Sequence, residues 1–128
     1  MIDQLNHSSK SARCIRINST LQEMAVGYSD HTIRIFDLES YQLKRQLEGH
    51  TNSVFTVAYH PSKPLFISAG RDAHIRTWNT ENAYASDSSI AAHMYAINHL
   101  EFSPNGHHFV TCSMDKSIKV WDAQEVKL

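Results

Sequence analysis

The sequence predicts an all-β chain built from repeated units, and three observations carry that expectation. One is a phrase that occurs three times: Ser29-Asp30-His31-Thr32-Ile33-Arg34-Ile35-Phe36-Asp37, Arg71-Asp72-Ala73-His74-Ile75-Arg76-Thr77-Trp78-Asn79 and Met114-Asp115-Lys116-Ser117-Ile118-Lys119-Val120-Trp121-Asp122. Each reads as a tight polar turn feeding a short strand. The second is spacing. Asp30, Asp72 and Asp115 lie 42 and 43 residues apart, as do Phe36, Trp78 and Trp121. The third is periodicity: apolar residues recur at i and i+2, β-branched residues crowd the strands, and no 3.6-residue stripe is sustained. A strand-built repeat of this period is the signature of propeller blades.

Composition narrows the function classes. The chain has 128 residues and a formal net charge of -1 with its nine His neutral. A generic binder of nucleic acid or anionic membrane would show a basic excess. Cys14 and Cys112 each sit in an apolar strand pattern, which reads as a buried free thiol in a reducing compartment, with a lone disulfide as the alternative. Met1 to Ala12 is polar and holds no signal-peptide core, and no stretch approaches the roughly 18 apolar residues of a membrane span. The expected location is soluble, intracellular and cytoplasmic.

The elements follow in order. Within residues 1–11, Ile2 to Leu5 reads as a short strand, Gln4-Leu5-Asn6-His7 echoes Gln46-Leu47-Glu48-Gly49-His50, and Ser8 to Ser11 is a polar loop. A first, divergent unit covers 12–48, with strands at 12–17, 23–28, 32–37 and 43–47. A second covers 49–91. Gly49 to Asn52 is its opening turn, and Val54, Val57 and Tyr59 lie in a strand. Pro61 and Pro64 bracket a loop before strands at 65–69 and 74–79. A fourth strand near 88–92 is weak, because Ser86-Asp87-Ser88-Ser89 offers little to bury. The third unit covers 92–128. Ile97, Leu100 and Phe102 take the places of Val54, Val57 and Tyr59. Ser103-Pro104-Asn105-Gly106 fits a type I turn, and strands follow at 108–112 and 117–122. A truncated outer strand is expected to start at Glu125 to Leu128.

Gly49-His50 followed by Trp78-Asn79, and His93 followed by Trp121-Asp122, resemble WD40 repeats over about residues 12–128. Internal spacings agree: 22 residues separate His50 from Asp72 and His93 from Asp115, and 6 separate each Asp from its Trp. The resemblance implies blades of four antiparallel strands, three of them in an incomplete ring. It also implies that His50, Ser68, Asp72 and Trp78, and again His93, Thr111, Asp115 and Trp121, form buried hydrogen-bonded tetrads, each tying a blade together. Fully satisfied networks of this kind fix one packing.

Taken cold, His50, Ser68 and Asp72 also fit a hydrolase triad. A nucleophile needs an exposed hydroxyl and an oxyanion site. No strand–elbow–helix turn or Gly-rich loop supplies one, and the set occurs twice. The first unit departs from the pattern. Asp30 stays, but Val26 stands for Ser68, Phe36 for Trp78 and Ser8 for His50. The indole donor and its acceptor have gone together, which can be nearly neutral.

Nine His invite a metal, yet His107 and His108 are adjacent and point to opposite strand faces, and no Cys-x-x-Cys exists. His31 and His74, beside turn Asp residues, read as solvated. No metal or cofactor is expected.

The resemblance implies a non-catalytic platform for a protein or peptide partner, docked on the narrower, top face. Carried onto this chain, the docking positions are Ser53, Phe55 and Arg71, then Ala96, Asn98 and Met114, with Ser11, Arg13 and Ser29 in the first unit. Phe55, Arg71 and Met114 are residue types that supply interface energy. Competing readings are purely structural blades of a larger assembly, and a nucleic-acid binder. The latter requires Arg13, Arg34, Arg71, Arg76, Lys116 and Lys119 on one face, with Arg34, Arg76 and Lys119 as a basic ladder around the rim. Propellers have about 4–8 blades, so three belong to a longer propeller or to two chains closing head to tail. In the second case residues 2–5 complete the partner's last blade.

Overall fold

The structure, a computed structural model, describes residues 1–126. Among the described residues, eleven strands form three antiparallel sheets that stand side by side without closing a ring. The first sheet is β1 (Ala12–Asn18), β2 (Glu23–Tyr28), β3 (Ile33–Asp37) and β4 (Leu43–Leu47), paired in that order. The second is β5 (Val54–Tyr59), β6 (Leu65–Gly70), β7 (His74–Asn79) and β8 (Ala85–Ala91), again in order. The third has three strands among the described residues, β9 (Ile97–Phe102), β10 (His108–Ser113) and β11 (Ile118–Asp122). These are blades 1, 2 and 3. The inner strand β5 packs beside both β1 and β9.

Alternation explains the strands and their burial. In β7, Ile75 and Thr77 are fully buried while Arg76 between them is not, the period of two expected for a pleated ribbon. β6 is buried along its whole length, because it is an interior strand covered on both faces. β8 spans seven residues, longer than its serine-rich sequence suggests. Thr77 Oγ1 and Ser88 Oγ, 2.8 Å apart, form a cross-strand polar pair, and Ser88 Oγ also donates to the Val126 carbonyl at 2.9 Å. Polar partners replace the missing apolar ones.

Two cores lie between the blades. Blades 2 and 3 enclose Ile67, Ile75, Ile97, Leu100 and Phe109, while blades 1 and 2 enclose Ile33, Ile35, Val54, Phe66 and Trp78. Polar contacts stitch the same junctions. Tyr84 O–H donates to Glu23 Oε1 at 2.6 Å, Tyr59 and Tyr84 hydroxyls meet at 2.8 Å, and Lys44 pairs with Glu23 Oε2. Burial pushes both tyrosine pKa values upward. Across the next junction His60 Nε2 donates to the Gly106 carbonyl at 2.8 Å, while its Nδ1 accepts from the Ser62 and Lys63 amides. Gly106 is needed twice over: φ is +76°, and a Cβ would lie 2.4 Å from His60 Cε1.

Three expectations need correction. Residues 2–5 form no strand. Instead Leu5 packs against Val26, Tyr28 and Phe36, and the His7 ring meets Phe36 edge-on at 5.0 Å, so the N-terminal segment covers the outward face of blade 1. Glu125 and Val126 lie in a turn and the rest of the expected outer strand falls outside the described residues, while Val126 packs into the core between blades 2 and 3. Cys14 and Cys112 are free and only half-buried. Burial nevertheless pushes the Cys14 thiol up to about 11.

Candidate docking face and the networks beneath it

The repeated turn is built by its Asp. Asp30, Asp72 and Asp115 each accept, through Oδ1, the amide two residues on, at 3.0, 3.1 and 2.8 Å. That local bond lets the residue between them, His31, Ala73 or Lys116, sit at φ of +76°, +64° or +73°. The second carboxylate oxygen reaches across the fold. Asp72 Oδ2 meets His50 Nδ1 at 2.8 Å, and Asp115 Oδ2 meets His93 Nδ1 at 2.8 Å.

From there the two networks run inward in parallel. His50 Nε2 lies 2.7 Å from Ser68 Oγ, which accepts the Trp78 indole N–H at 2.9 Å. His93 Nε2 lies 2.8 Å from Thr111 Oγ1, which accepts the Trp121 indole N–H at 3.0 Å. The donor order follows. Indole N–H donates to hydroxyl, hydroxyl O–H to Nε2, and Nδ1–H to carboxylate, so no group is stranded. Ser68 and Thr111 are 0% exposed. Each His sits in the connection entering its blade from the outer strand of the previous one. The network therefore ties the incoming connection to the blade it enters.

Electrostatics follow from these bonds. Burial works against ionisation of Asp72, but hydrogen bonds from His50 and from the His74 and Thr51 amides outweigh it and bring the carboxyl down to about 2. Asp30 is also buried in part, and bonds from Thr32, Ser8 and Arg34 bring it to about 2. The Ser117 hydroxyl, with His93, lowers Asp115. In blade 1, Ser8 Oγ donates to Asp30 Oδ2 at 2.7 Å, while Val26 and Phe36 pack as an apolar pair.

The rim ladder is not what the geometry builds. Arg34 is buried, bonded to Asp30 and Gln46 and stacked on Tyr28 with its Cζ 4.6 Å from the ring centroid. Lys119 Nζ donates to the Ala92 carbonyl at 2.6 Å. The Arg76 guanidinium lies against Gly49, where a Cβ would come within 2.6 Å of Nη1. These cations turn back onto the chain, leaving them poorly placed for phosphates. His74 is likewise engaged, its Nδ1 donating to the Asp72 carbonyl at 2.9 Å, whereas His31 is exposed. Among the described residues no three His, Cys, Asp or Glu gather as metal ligands.

The end of the sheets that carries the Asp turns also carries the expected docking positions. Arg71, Asn98, Met114, Ser11 and Arg13 are exposed, Ser53, Phe55 and Ser29 half-buried, and Ala96 buried. Arg13 lies over Phe55, Cζ to centroid 5.0 Å. Backbone bonds repeat in all three blades: Ser29 N to Ser11 O, Arg71 N to Ser53 O and Met114 N to Ala96 O, at 2.8, 2.9 and 3.0 Å. Sequence reasoning missed Met94 and Tyr95, which follow His93 as Thr51 and Asn52 follow His50. The signal was there, since both are large and apolar where their counterparts are polar.

A family model described as "WD domain, G-beta repeat" matches residues 2–37, 41–79 and 86–122. The chain belongs to the WD-repeat family. Two of the three matched repeats straddle two sheets: 41–79 opens with β4 of blade 1 and closes with β7 of blade 2, and 86–122 runs from β8 to β11. By the same offset, residues 2–11 stand in sequence where an outer strand precedes β1. Similar WD-repeat chains include the nuclear distribution protein nudF of Aspergillus flavus, 29% identical over 119 residues, 91% of this chain and 26% of that protein. Pre-mRNA-processing factor 19 of Bos taurus is 34% identical over 98 residues, 77% of this chain and 19% of that protein. Cilia- and flagella-associated protein 52 of Sus scrofa is 31% identical over 124 residues, 96% and 20% respectively. The chain thus spans less than a third of each relative.

Proposed function

We propose that this chain is a non-catalytic protein-interaction module that docks a protein or peptide on the end of its blades bearing the Asp turns. One observation carries the reading. The groups that mimic a hydrolase, His50, Ser68 and Asp72, are sealed beneath that face with Ser68 fully buried, while Arg71, Asn98 and Met114 project from it. A buried hydroxyl held by an indole donor has no route to a substrate. Rigid blades with variable exposed turns suit recognition instead. Free thiols fit a reducing, cytoplasmic setting. No described helix is long and apolar enough to cross a membrane.

The test is selection of binding peptides from a random displayed library, followed by Arg71→Ala and Met114→Ala on one face and Glu39→Ala and Glu81→Ala on the other. Loss of binding confined to the first pair supports the reading. Loss confined to the second pair moves the docking site to the opposite end.

A second reading concerns assembly. Ile118 and Val120, on the far face of blade 3, are 72% and 68% exposed, and Ile15 and Ile17 of blade 1 are 51% and 60% exposed. Further blades, of a longer chain or of a second copy, would cover these faces. Light scattering over a concentration range separates a self-closing dimer from a monomer that needs blades in cis.

A further inference from the structure

Charge and apolar surface are sorted across this face in a way the net charge of -1 conceals. Of the four carboxylates in its described loops, Asp30, Asp72 and Asp115 are engaged inward by Ser8, His50 and His93, leaving Glu48. The cations behave oppositely. Lys10, Arg13 and Arg71 are exposed at this end of blades 1 and 2. Exposed Glu39, Glu81 and Glu125 lie at the other end, in turns and the short 3-10 helix Thr80–Asn82, beside the single exposed cation Lys63 among its described loops.

Blade 3 breaks the polar pattern. The shared backbone bonds align Met94, Tyr95 and Met114 with Thr51, Asn52 and Arg71 of blade 2. Those blade 3 side chains are 81%, 64% and 64% exposed. They sit on two adjoining loops, because Ser113 Oγ donates to the Tyr95 and Ala96 carbonyls and Met94 N donates to Asp115 Oδ2. Two thioethers and a phenol ring side by side form an adaptable apolar seat. Guanidinium and ammonium groups beside it attract carboxylates and raise encounter rates.

We propose that the partner is an acidic peptide segment with an apolar side chain: its carboxylates lie along Lys10, Arg13 and Arg71, and its apolar group rests on Met94, Tyr95 and Met114. The inference rests on the docking reading above and adds the chemistry of what docks. A nucleic acid fits less well. It would use the cations but leave the thioethers exposed, and Arg34 and Lys119 are already engaged by Asp30 and the Ala92 carbonyl.

The experiment titrates the isotope-labelled chain with four probes and follows backbone amides by NMR. The probes are a short peptide rich in Glu with two Leu, the same peptide with Lys for Glu, the same with Ser for Leu, and oligouridine. The Glu/Leu peptide is expected to bind at least about 10-fold tighter than either altered peptide, roughly 1.4 kcal/mol. It should shift the amides of residues 51–53, 71–73 and 94–96, and weaken as salt rises. Arg71→Glu should invert the preference between the Glu and Lys peptides, and Met94→Ser with Met114→Ser should erase that between the Leu and Ser peptides. All these residues are exposed, so folding is spared. Equal binding of all peptides, tighter binding of oligouridine, or no binding overturns the proposal. If an altered peptide wins but shifts the same amides, the face is right and the chemistry wrong. Shifts confined to turns at the other end overturn both.

Discussion

Ser8 donates to Asp30 across 22 residues of sequence, the separation at which His50 meets Asp72 and His93 meets Asp115. A serine thus stands in for the histidine in blade 1, and the Asp turn survives although the rest of its network has become apolar. Blade 1 is a natural double replacement, with Val26 and Phe36 packed where a hydroxyl and an indole would hydrogen-bond.

That pairing predicts a coupled mutant cycle. Phe36→Trp brings an indole N–H opposite Val26, with no acceptor, and should cost about 1–3 kcal/mol in urea unfolding. Adding Val26→Ser supplies the acceptor, so the double variant should be more stable than the two single costs predict, by more than about 0.5 kcal/mol. Additive costs would mean the two positions do not communicate.

Ala73 is held at φ of +64° in the Asp72 turn. Ala73→Gly should raise stability by about 1 kcal/mol, since relief of the left-handed strain exceeds the added freedom of the unfolded chain. A lower urea midpoint would show that the Ala methyl makes a contact worth more than the strain.

Acid should unfold the protein through its turn carboxylates. Asp30 and Asp72 are depressed from 3.8 to about 2 in the folded state. The unfolded chain therefore binds protons first as pH falls, so their stabilisation is complete above about pH 5 and is lost progressively toward pH 2. The urea midpoint measured from pH 6 to 2 should fall across that window, and less steeply in Asp72→Asn. Parallel curves for the variant and the parent would remove Asp72 from the account.

At the junction of blades 1 and 2, Tyr84→Phe deletes the hydroxyl that donates to Glu23. Bonds to charged groups contribute about 1.5–3 kcal/mol, and among the described residues the buried carboxylate then keeps only the Lys44 ammonium as a side-chain partner. A cost below about 0.5 kcal/mol would show that Lys44 alone satisfies it.

Much of the fold was legible because WD repeats are periodic: once Asp30, Asp72 and Asp115 align, the strands of one unit predict those of the next. The tetrad residues repeat at the same spacings, but it was the resemblance to WD repeats that named them as a network. What stayed hidden is what occurs once. Tyr84 reaches Glu23 over 61 residues without any repeat to announce it. His7 and Leu5 fold onto Phe36 because blade 1 has an open face to cover, and a local strand pattern cannot show where a covering segment lies. Arg34, Arg76 and Lys119 shared a register and invited a ladder, but Arg34 turns back to Asp30, Lys119 to the Ala92 carbonyl, and the Arg76 guanidinium lies against Gly49. Met94 and Tyr95 carry no repeat signal, because they mark where blade 3 differs from blade 2 rather than where the units match.

The hydroxyl, imidazole and indole groups form a buried hydrogen-bonded network in blades 2 and 3. With two Trp in the chain, the indole N–H region of the NMR spectrum is simple enough to test it directly. Hydrogen exchange of the Trp78 indole should approach the rate of global unfolding and speed up in Ser68→Ala. Rapid exchange in the parent protein, or an unchanged rate in Ser68→Ala, would mean that Ser68 is not the acceptor and that its hydroxyl is open to another role.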